Sequence, residues 1–442
     1  MAEVASERLN YLSKKARAVS SRASRHVIPC SNGVTFNAGQ QARIDLAGNQ
    51  NATYWDASNS YLKFTVTNNH TADLLVESGY ALIEQLDVMC DGQVVSSIRN
   101  YGAAVHAFLD SEVGDNWKDN IGRAIAGTAF DYNGLQKIED GESLTFCLPA
   151  FPLTPFWNAS KYIPLMSRST ISYRITWASA AKGTVGQGED TDIVFNPVEM
   201  VVSYIRLSSE ANAMVIANTG GRFEIITSDV RTAEGNVSNG DTVLNVNCGF
   251  SFSSLDRVMF SFYPTLNGSG KISVGNRGSC SITDFAISIN GEEHPRKRIE
   301  VGATNFAETI AEIMVAHRSL ADFSHGSDLA PQRVTSEGTN TALPVYAQRF
   351  YTPQPTGSVT TVGTSGNYEP NRGLFLAMID TEAMKPHADP DALYSGISTL
   401  GSVVQLVGNI SATANNTVLV FGQYTLALTL DLNGSQTWVV SI

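Results

Sequence analysis

Hydrophobic and polar residues alternate with a period of two along much of this chain, and the alternation gives way twice to the same pattern, a hairpin followed by a helix. In the first copy Leu86-Asp87-Val88-Met89-Cys90 runs into Asp91-Gly92 and returns through Val94-Val95. In the second, about two hundred residues later, Phe285, Ile287 and Ile289 alternate with polar residues up to Asn290-Gly291. Asp-Gly and Asn-Gly between strand-like runs predict type I′ turns, which need two residues that tolerate positive φ. Helical spacing follows each hairpin. Tyr101, Ala104, Val105, Phe108 and Leu109 make one apolar stripe, and Phe306, Ile310, Ile313, Met314 and His317 make the other. Asn305 and Glu308 are spaced as a capping box at the start of the second helix.

The flanks of the two units also correspond. Tyr61-Leu62-Lys63-Phe64-Thr65-Val66-Thr67 precedes the first and Val258-Met259-Phe260-Ser261-Phe262 precedes the second. Ile171, Tyr173, Ile175 and Trp177 alternate with polar residues after the first, as Leu426, Leu428, Leu430 and Leu432 do after the second. Self-similarity at this long period means two copies of one domain, since solenoid repeats run at a few tens of residues. The expected organisation is an N-terminal arm (1–27), a first β-rich domain (28–210), a linker (211–221) ending at Gly220-Gly221, and a second β-rich domain (222–442) that closes with a hairpin through Asn433-Gly434. Many short strands with one helix in a long connection predict an all-β fold of two tandem antiparallel jelly-roll sandwiches. The segment 319–368 lacks periodicity, and so long a connection is expected to be functional or packed on a partner.

Composition narrows this picture. The chain has 442 residues, 43% hydrophobic and 16% charged, as expected of well-buried globular domains. No apolar run approaches the roughly eighteen residues of a membrane span, and charged residues interrupt any secretory signal at the N-terminus. Five scattered cysteines (Cys30, Cys90, Cys147, Cys248, Cys280) predict buried thiols in a reducing compartment. Charge is uneven. Residues 1–26 hold six of the 30 Lys/Arg (Arg8, Lys14, Lys15, Arg17, Arg22, Arg25) and two of the 42 Asp/Glu, which leaves 24 basic against 40 acidic groups in the body. A basic arm on an acidic body is expected to meet an anionic surface, nucleic acid or lipid. Val4, Leu9, Leu12, Ala16 and Val19 could equally form a helical stripe that docks on a neighbouring subunit.

Enzyme signatures fail on inspection. Asn267-Gly268-Ser269-Gly270-Lys271 lacks the first glycine and the hydroxyl residue of a phosphate loop. No catalytic, metal or cofactor residues are assigned, because the seven histidines include no pair at ligand spacing. His317 reads as structural, and Glu382, His387, Asp389 and Asp391 read as an acidic surface turn between Pro386 and Pro390. His294-Pro295-Arg296-Lys297-Arg298 is the densest basic run in the body, and a solvated hairpin strand accounts for it.

Four stretches resemble a known family. They are Ser60 to Val66; Leu82 to Val95 with Ile98, Asn100 and Tyr101; Phe146-Cys147-Leu148-Pro149-Ala150 with Tyr162-Ile163-Pro164-Leu165; and Gly373 to Asp380 with Tyr394 to Thr399. In order and content they are similar to the double jelly-roll major capsid proteins of the adenovirus, tectivirus, virophage and Polinton-like lineage. The resemblance implies a non-enzymatic subunit without cofactors that forms homotrimers, pseudo-hexagonal in outline, in an icosahedral shell. Its implied location is the virion, and its implied partners are further copies of itself, penton and minor capsid proteins, and the genome or an internal membrane reached by the arm. No stretch identifies a host receptor. Phe350, Tyr351 and Tyr368 are the apolar loop residues expected in subunit contacts. Two alternatives remain at this stage: a hydrolase on two jelly rolls, with paired carboxylates at the domain junction, and an exported glycan-binding module.

Overall fold

The computed structural model describes residues 21–442 except 49, 114–116, 129–135, 150, 187–188, 265–273, 276, 303–305, 318–319, 321–374, 383–394 and 442. The first eight long strands are β1 (Ser21–Pro29), β2 (Gln41–Leu46), β3 (Thr53–Asn68), β4 (Ile83–Cys90), β5 (Gln93–Arg99), β6 (Ser143–Pro149), β7 (Ile171–Trp177) and β8 (Ile193–Leu207). They form two antiparallel sheets, ordered β1-β8-β3-β6 and β2-β7-β4-β5. The next eight are β9 (Arg222–Val237), β10 (Val243–Asn247), β11 (Leu255–Pro264), β12 (Asp284–Ile289), β13 (Glu292–Glu300), β14 (Ala377–Asp380), β15 (Val404–Asn409) and β16 (Asn416–Asp431). Their sheets are β9-β16-β11-β14 and β10-β15-β12-β13, the same order advanced by eight. This is a jelly roll made twice. The terminal strand β17 (Trp438–Ser441) folds back on β16 as the Asn433-Gly434 turn predicts.

Alternation builds both cores. Leu62, Phe64 and Val66 point inward from β3 and Val258, Phe260 and Phe262 from β11, all without solvent exposure. Trp177 stacks on Phe195 with ring centroids 4.0 Å apart and lies 5.0 Å from Phe64. In the second roll Phe252 stacks on Tyr424 at 3.8 Å. Both hairpin turns have the expected geometry, with φ of 50° and 81° at Asp91-Gly92 and 51° and 87° at Asn290-Gly291. Helix α1 (Tyr101–Glu112) follows β5 and packs so close that a Cβ on Gly102 would lie 2.8 Å from the Tyr80 carbonyl oxygen. A helix over Phe306–Ala316 follows β13 in the same way. Asn305, its expected cap, lies outside the described residues.

The structure corrects three expectations. Ile171–Trp177 is the seventh strand of its roll, whereas Leu426–Leu432 falls in and just past the eighth of the other. The true counterparts are β7 with β15 and β8 with β16, because a period of two marks a strand without giving its rank. The expected linker is helical: α2 spans Ser209–Thr219, capped by the Ser208 hydroxyl and ended by Gly220 at φ 61°. Only Ala211 and Asn212 of α2 are buried, so it lacks the apolar stripe by which a helix is recognised. Finally, residues 21–27 of the expected arm belong to β1, which pairs with β8. The second-roll helix is α3 (Phe306–Ala316) hereafter.

Because successive strands alternate in direction, each roll has a hairpin end, with the Asp91-Gly92 or Asn290-Gly291 turn, and a helix end, where α1 and α3 begin. The rolls stand side by side in the same sense. At the hairpin end the Arg168 amide donates to the Gln436 carbonyl at 3.2 Å, and at the helix end the Gly275 amide donates to the Glu77 carboxylate at 3.0 Å.

Candidate functional site

The most densely functionalised region is the contact between the rolls. The turn of α1 that carries Asp110 and Glu112 reaches across to the second roll. Asp110 accepts from Lys118 at 2.7 Å and from the fully buried Arg277 at 2.5 Å, and Arg277 Nε also donates to the Phe375 carbonyl. Burial alone would raise the Asp110 carboxyl, but the Lys118 and Arg277 charges hold it well below the usual carboxylate range. Glu112 meets Arg257 at 3.0 Å and His317 Nδ1 at 2.5 Å. His317, which follows the second-roll helix, thus joins the two rolls through Glu112.

Midway along the contact the chemistry changes. The outer strand β5 of the first roll lies against the outer strand β9 of the second, and Asp229 on β9 is buried between them. It accepts from the Ser96 and Tyr424 hydroxyls, each at 2.7 Å, and the Thr232 hydroxyl donates to the Arg99 carbonyl at 2.7 Å. Burial pushes the Asp229 carboxyl up to about 7, against the lowering pull of its hydroxyl donors. A cavity of about 410 Å³ opens beside it, lined by Ser96, Arg99, Asp229, Arg231, Thr232 and Tyr424 among others. Nearer the hairpin end, Thr227 donates to the Pro155 carbonyl at 2.7 Å, and the rings of Phe156 and Trp438 meet edge to face at 5.7 Å.

A second cavity, about 340 Å³, brings Glu112, Asp256 and Glu382 together with Arg257 and His317. This is where a two-roll hydrolase would carry its carboxylate pair. Here Glu112 is occupied by Arg257 and His317, and both Asp256 oxygens accept hydroxyls, from Ser254 at 2.9 Å and Thr425 at 2.6 Å. Burial pushes Asp256 up to about 6, with the charge of Glu382 adding to the rise. The groups are engaged as structural acceptors. His387, Asp389 and Asp391 lie outside the described residues, so of that acidic turn only Glu382 is placed.

The basic run His294–Arg298 lies on β13, where Arg298 pairs with Glu293 at 2.6 Å and Asp284 at 3.0 Å, Arg296 with Glu292 at 3.6 Å, and Lys297 with Glu300 at 3.1 Å. Its charge is neutralised within its own hairpin. Of the arm residues, Arg22 and Arg25 are exposed on β1, with Arg25 donating to the Tyr61 hydroxyl at 3.1 Å. Arg8, Lys14, Lys15 and Arg17 lie outside the described residues, as do Phe350, Tyr351 and Tyr368. All five cysteines are free; Cys90, Cys248 and Cys280 are buried, with burial pushing each thiol up to about 12, and Cys30 and Cys147 are half-buried. Among the described residues no group of three or more His, Cys, Asp or Glu is placed to hold a metal ion, and no helix is long and apolar enough to cross a membrane.

The sequence reading missed Asp110, Asp229, Arg257 and Arg277. The signal was present as isolated charges inside otherwise apolar or hydroxyl-bearing runs, such as Asp229 after Ile225-Ile226-Thr227-Ser228. Such a charge is buried only with a partner, and the partner here comes from the other domain.

Comparison with solved structures places the whole molecule. The PBCV-1 virus capsid model superposes with a TM-score of 0.62 at 11% identity, covering 98% of this chain and 99% of that one. The Faustovirus major capsid protein gives 0.54 at 8% identity over 95% and 93%. The mavirus major capsid protein gives 0.50 at 10% identity over 100% and 95%. The chain has the double jelly-roll fold. End-to-end coverage means that both rolls and their connection are shared, while identity near one in ten leaves the fold as the common property. No family model and no curated protein matches the sequence. The double jelly roll also accounts for the density of the junction, since two sandwiches in one chain need a fixed mutual orientation before their outer edges can act together.

Proposed function

We propose that the chain is a major capsid protein, a structural subunit that forms trimeric, pseudo-hexagonal capsomers of an icosahedral virion and has no catalytic activity. The observation that carries this reading is the repetition of one eight-strand order twice in a single chain, over the full length of the capsid proteins it superposes on. Two similar rolls in each of three chains present six similar edges, and six similar edges tile a lattice. The engagement of the junction carboxylates by cations and hydroxyls supports a structural role for them.

The N-terminal arm before β1 carries Arg8, Lys14, Lys15 and Arg17, and Arg22 and Arg25 follow on β1, which starts at the hairpin end. In this reading that end faces inward, and the arm meets the phosphates of the genome or of an internal membrane. Binding through so few charges is weak and steeply salt-dependent. Penton and minor capsid proteins are the remaining partners in the shell.

Light scattering on a sizing column, with negative-stain images of the peak, tests the assembly. The expected result is a particle of three times 47.5 kDa with a hexagonal outline. A monodisperse monomer would remove the reading. Deletion of residues 1–20 removes four of the six basic residues and should leave the trimer intact while weakening salt-sensitive binding to anionic surfaces.

A further inference from the structure

At the contact between the rolls, Lys118, Arg257 and Arg277 each have a carboxylate built in, from Asp110 or Glu112. Two other cations there have none. Arg99 ends β5 of the first roll and Arg231 lies on β9 of the second, and among the described residues neither guanidinium has an ion-pair or hydrogen-bond partner. Both line the cavity of about 410 Å³ that opens beside Asp229.

The strands hold the two arginines close. The Thr232 hydroxyl donates to the Arg99 carbonyl at 2.7 Å, which fastens the neighbour of Arg231 to Arg99 itself. Asp229 and Arg231, two residues apart on an extended strand, share a face. Asp229 does not act as the missing counterion, because its two oxygens accept from the Ser96 and Tyr424 hydroxyls. Burial, which pushes its carboxyl up to about 7, further reduces its negative charge at neutral pH. Asp87, reached by the Ser97 hydroxyl at 2.6 Å, is engaged by Arg174 and Gln85 as well.

Two positive charges from different rolls therefore converge on one cleft without an anion, and such a cleft concentrates the field of both. Both side chains are exposed, so a solute reaches them from solvent. The charge count selects the ligand. A phosphate monoester brings about 1.5 to 2 negative charges and three acceptor oxygens at neutral pH, which two guanidinium forks can share, whereas a carboxylate brings a single charge. The cavity also exceeds the needs of a bare phosphate. Its lining follows β5 from Arg99 back to Val95 and Val94, about 16 Å at the rise of an extended strand. Val94 is exposed and Val95 half-buried, so this stretch offers an apolar wall to an organic group.

We propose that the cavity between β5 and β9 binds a small phosphate monoester, its phosphate held jointly by Arg99 of the first roll and Arg231 of the second and its organic body lying along Val94 and Val95. The ligand would bridge the two rolls. The site goes beyond the capsid reading and uses residues of one chain only, so it stands whether the chain is a monomer or a trimer.

Thermal unfolding and equilibrium dialysis of the full chain test this, with adenosine monophosphate, inorganic phosphate and adenosine as probes at pH 7 and matched ionic strength. Millimolar adenosine monophosphate should raise the melting temperature above that in chloride, because a ligand bound only by the folded state stabilises it. Inorganic phosphate should do so less, and adenosine not at all. In dialysis, Arg99→Gln and Arg231→Gln should each weaken binding of the monophosphate roughly tenfold or more, the effect of losing a charged hydrogen-bond donor, and Arg99→Lys should keep part of it. Each variant is compared with itself in chloride, so any cost of the substitution to the fold cancels. If neither phosphate compound stabilises the chain beyond chloride, or if binding ignores both substitutions, the site is overturned. Sensitivity to one arginine alone overturns the bridge, and inorganic phosphate binding as tightly as the monophosphate overturns the role of Val94 and Val95.

Discussion

Asp110 and Asp229 both sit at the contact between the rolls, within one bond of a group from the opposite roll, and their surroundings drive them in opposite directions. Asp110 is flanked by the Lys118 ammonium and the Arg277 guanidinium and stays ionised to very low pH. Asp229 is 1% exposed, is held mainly by the neutral Ser96 and Tyr424 hydroxyls, with the Arg231 charge the smallest pull on it, and is pushed up to about 7. The difference teaches that the junction has two regions of unlike chemistry, one fastened by full charges and one by hydrogen bonds around an acid that prefers its proton. A low-dielectric site stabilises a carboxylate only where a cation is built in with it.

Removing the cation should break the comparison most severely. Arg277→Ala leaves Asp110 with half its compensation and opens a hole at a fully buried position, and is expected to lower stability by about 3–5 kcal/mol in urea unfolding at pH 7. Repeating the measurement near pH 3 should shrink the loss. A loss under about 1 kcal/mol would show that the pair contributes little.

Stability against pH should then separate the two aspartates. The folded-state value of Asp229 lies above the unfolded value of about 3.9, so its contribution is complete below that and is lost as pH rises through about 7. Asp256 follows the same course through about 6. Asp110 is depressed, so its contribution is present above about 4 and lost as pH falls towards its folded value. Melting temperature, with the two effects combined, should peak between roughly pH 4 and 6. Asp229→Asn keeps the shape and cannot ionise; it should gain roughly 1–3 kcal/mol at pH 8 and nothing at pH 4. An unchanged pH profile in this variant would sink the assignment.

Smaller effects sharpen the picture. Glu112→Gln keeps a hydrogen-bonding group but removes the charge facing Arg257 and His317, at an expected cost of about 1.5–3 kcal/mol at pH 7. Ser96→Ala removes one neutral donor from Asp229 and should cost about 1 kcal/mol. It should also push the titration of Asp229 still higher, visible as a decline of stability that continues to higher pH.

Much of this fold was legible because it rests on local chemistry. Asp91-Gly92 and Asn290-Gly291 can hardly avoid their turns, since both positions need positive φ. The stripe Tyr101, Ala104, Val105, Phe108, Leu109 declares a helix, and the structure buries it beyond that stripe, with Ala103, His106 and Ala107 inside and Phe108 half-buried. The order of strands was less legible. The Leu426–Leu432 run was matched to the wrong strand because inward and outward alternation is the same in every strand of a sandwich, and α2 passed for a loop because most of it packs against nothing. The junction was the least visible part. Arg257 and Arg277 look like ordinary surface charges until the residues that neutralise them, Glu112 and Asp110, arrive from a domain about 150 residues away in sequence.

The sequence by itself determined the class of fold, its duplication and the placing of the two Asp/Asn-Gly hairpins with the helix after each, because periodicity and turn chemistry act over a few residues. Tertiary structure alone decided which strands became outer edges, which acids were buried beside a cation and which beside hydroxyls, and which edges were joined within the chain. Those outcomes depend on desolvation and on partners far away in sequence, and neither is written in any local pattern.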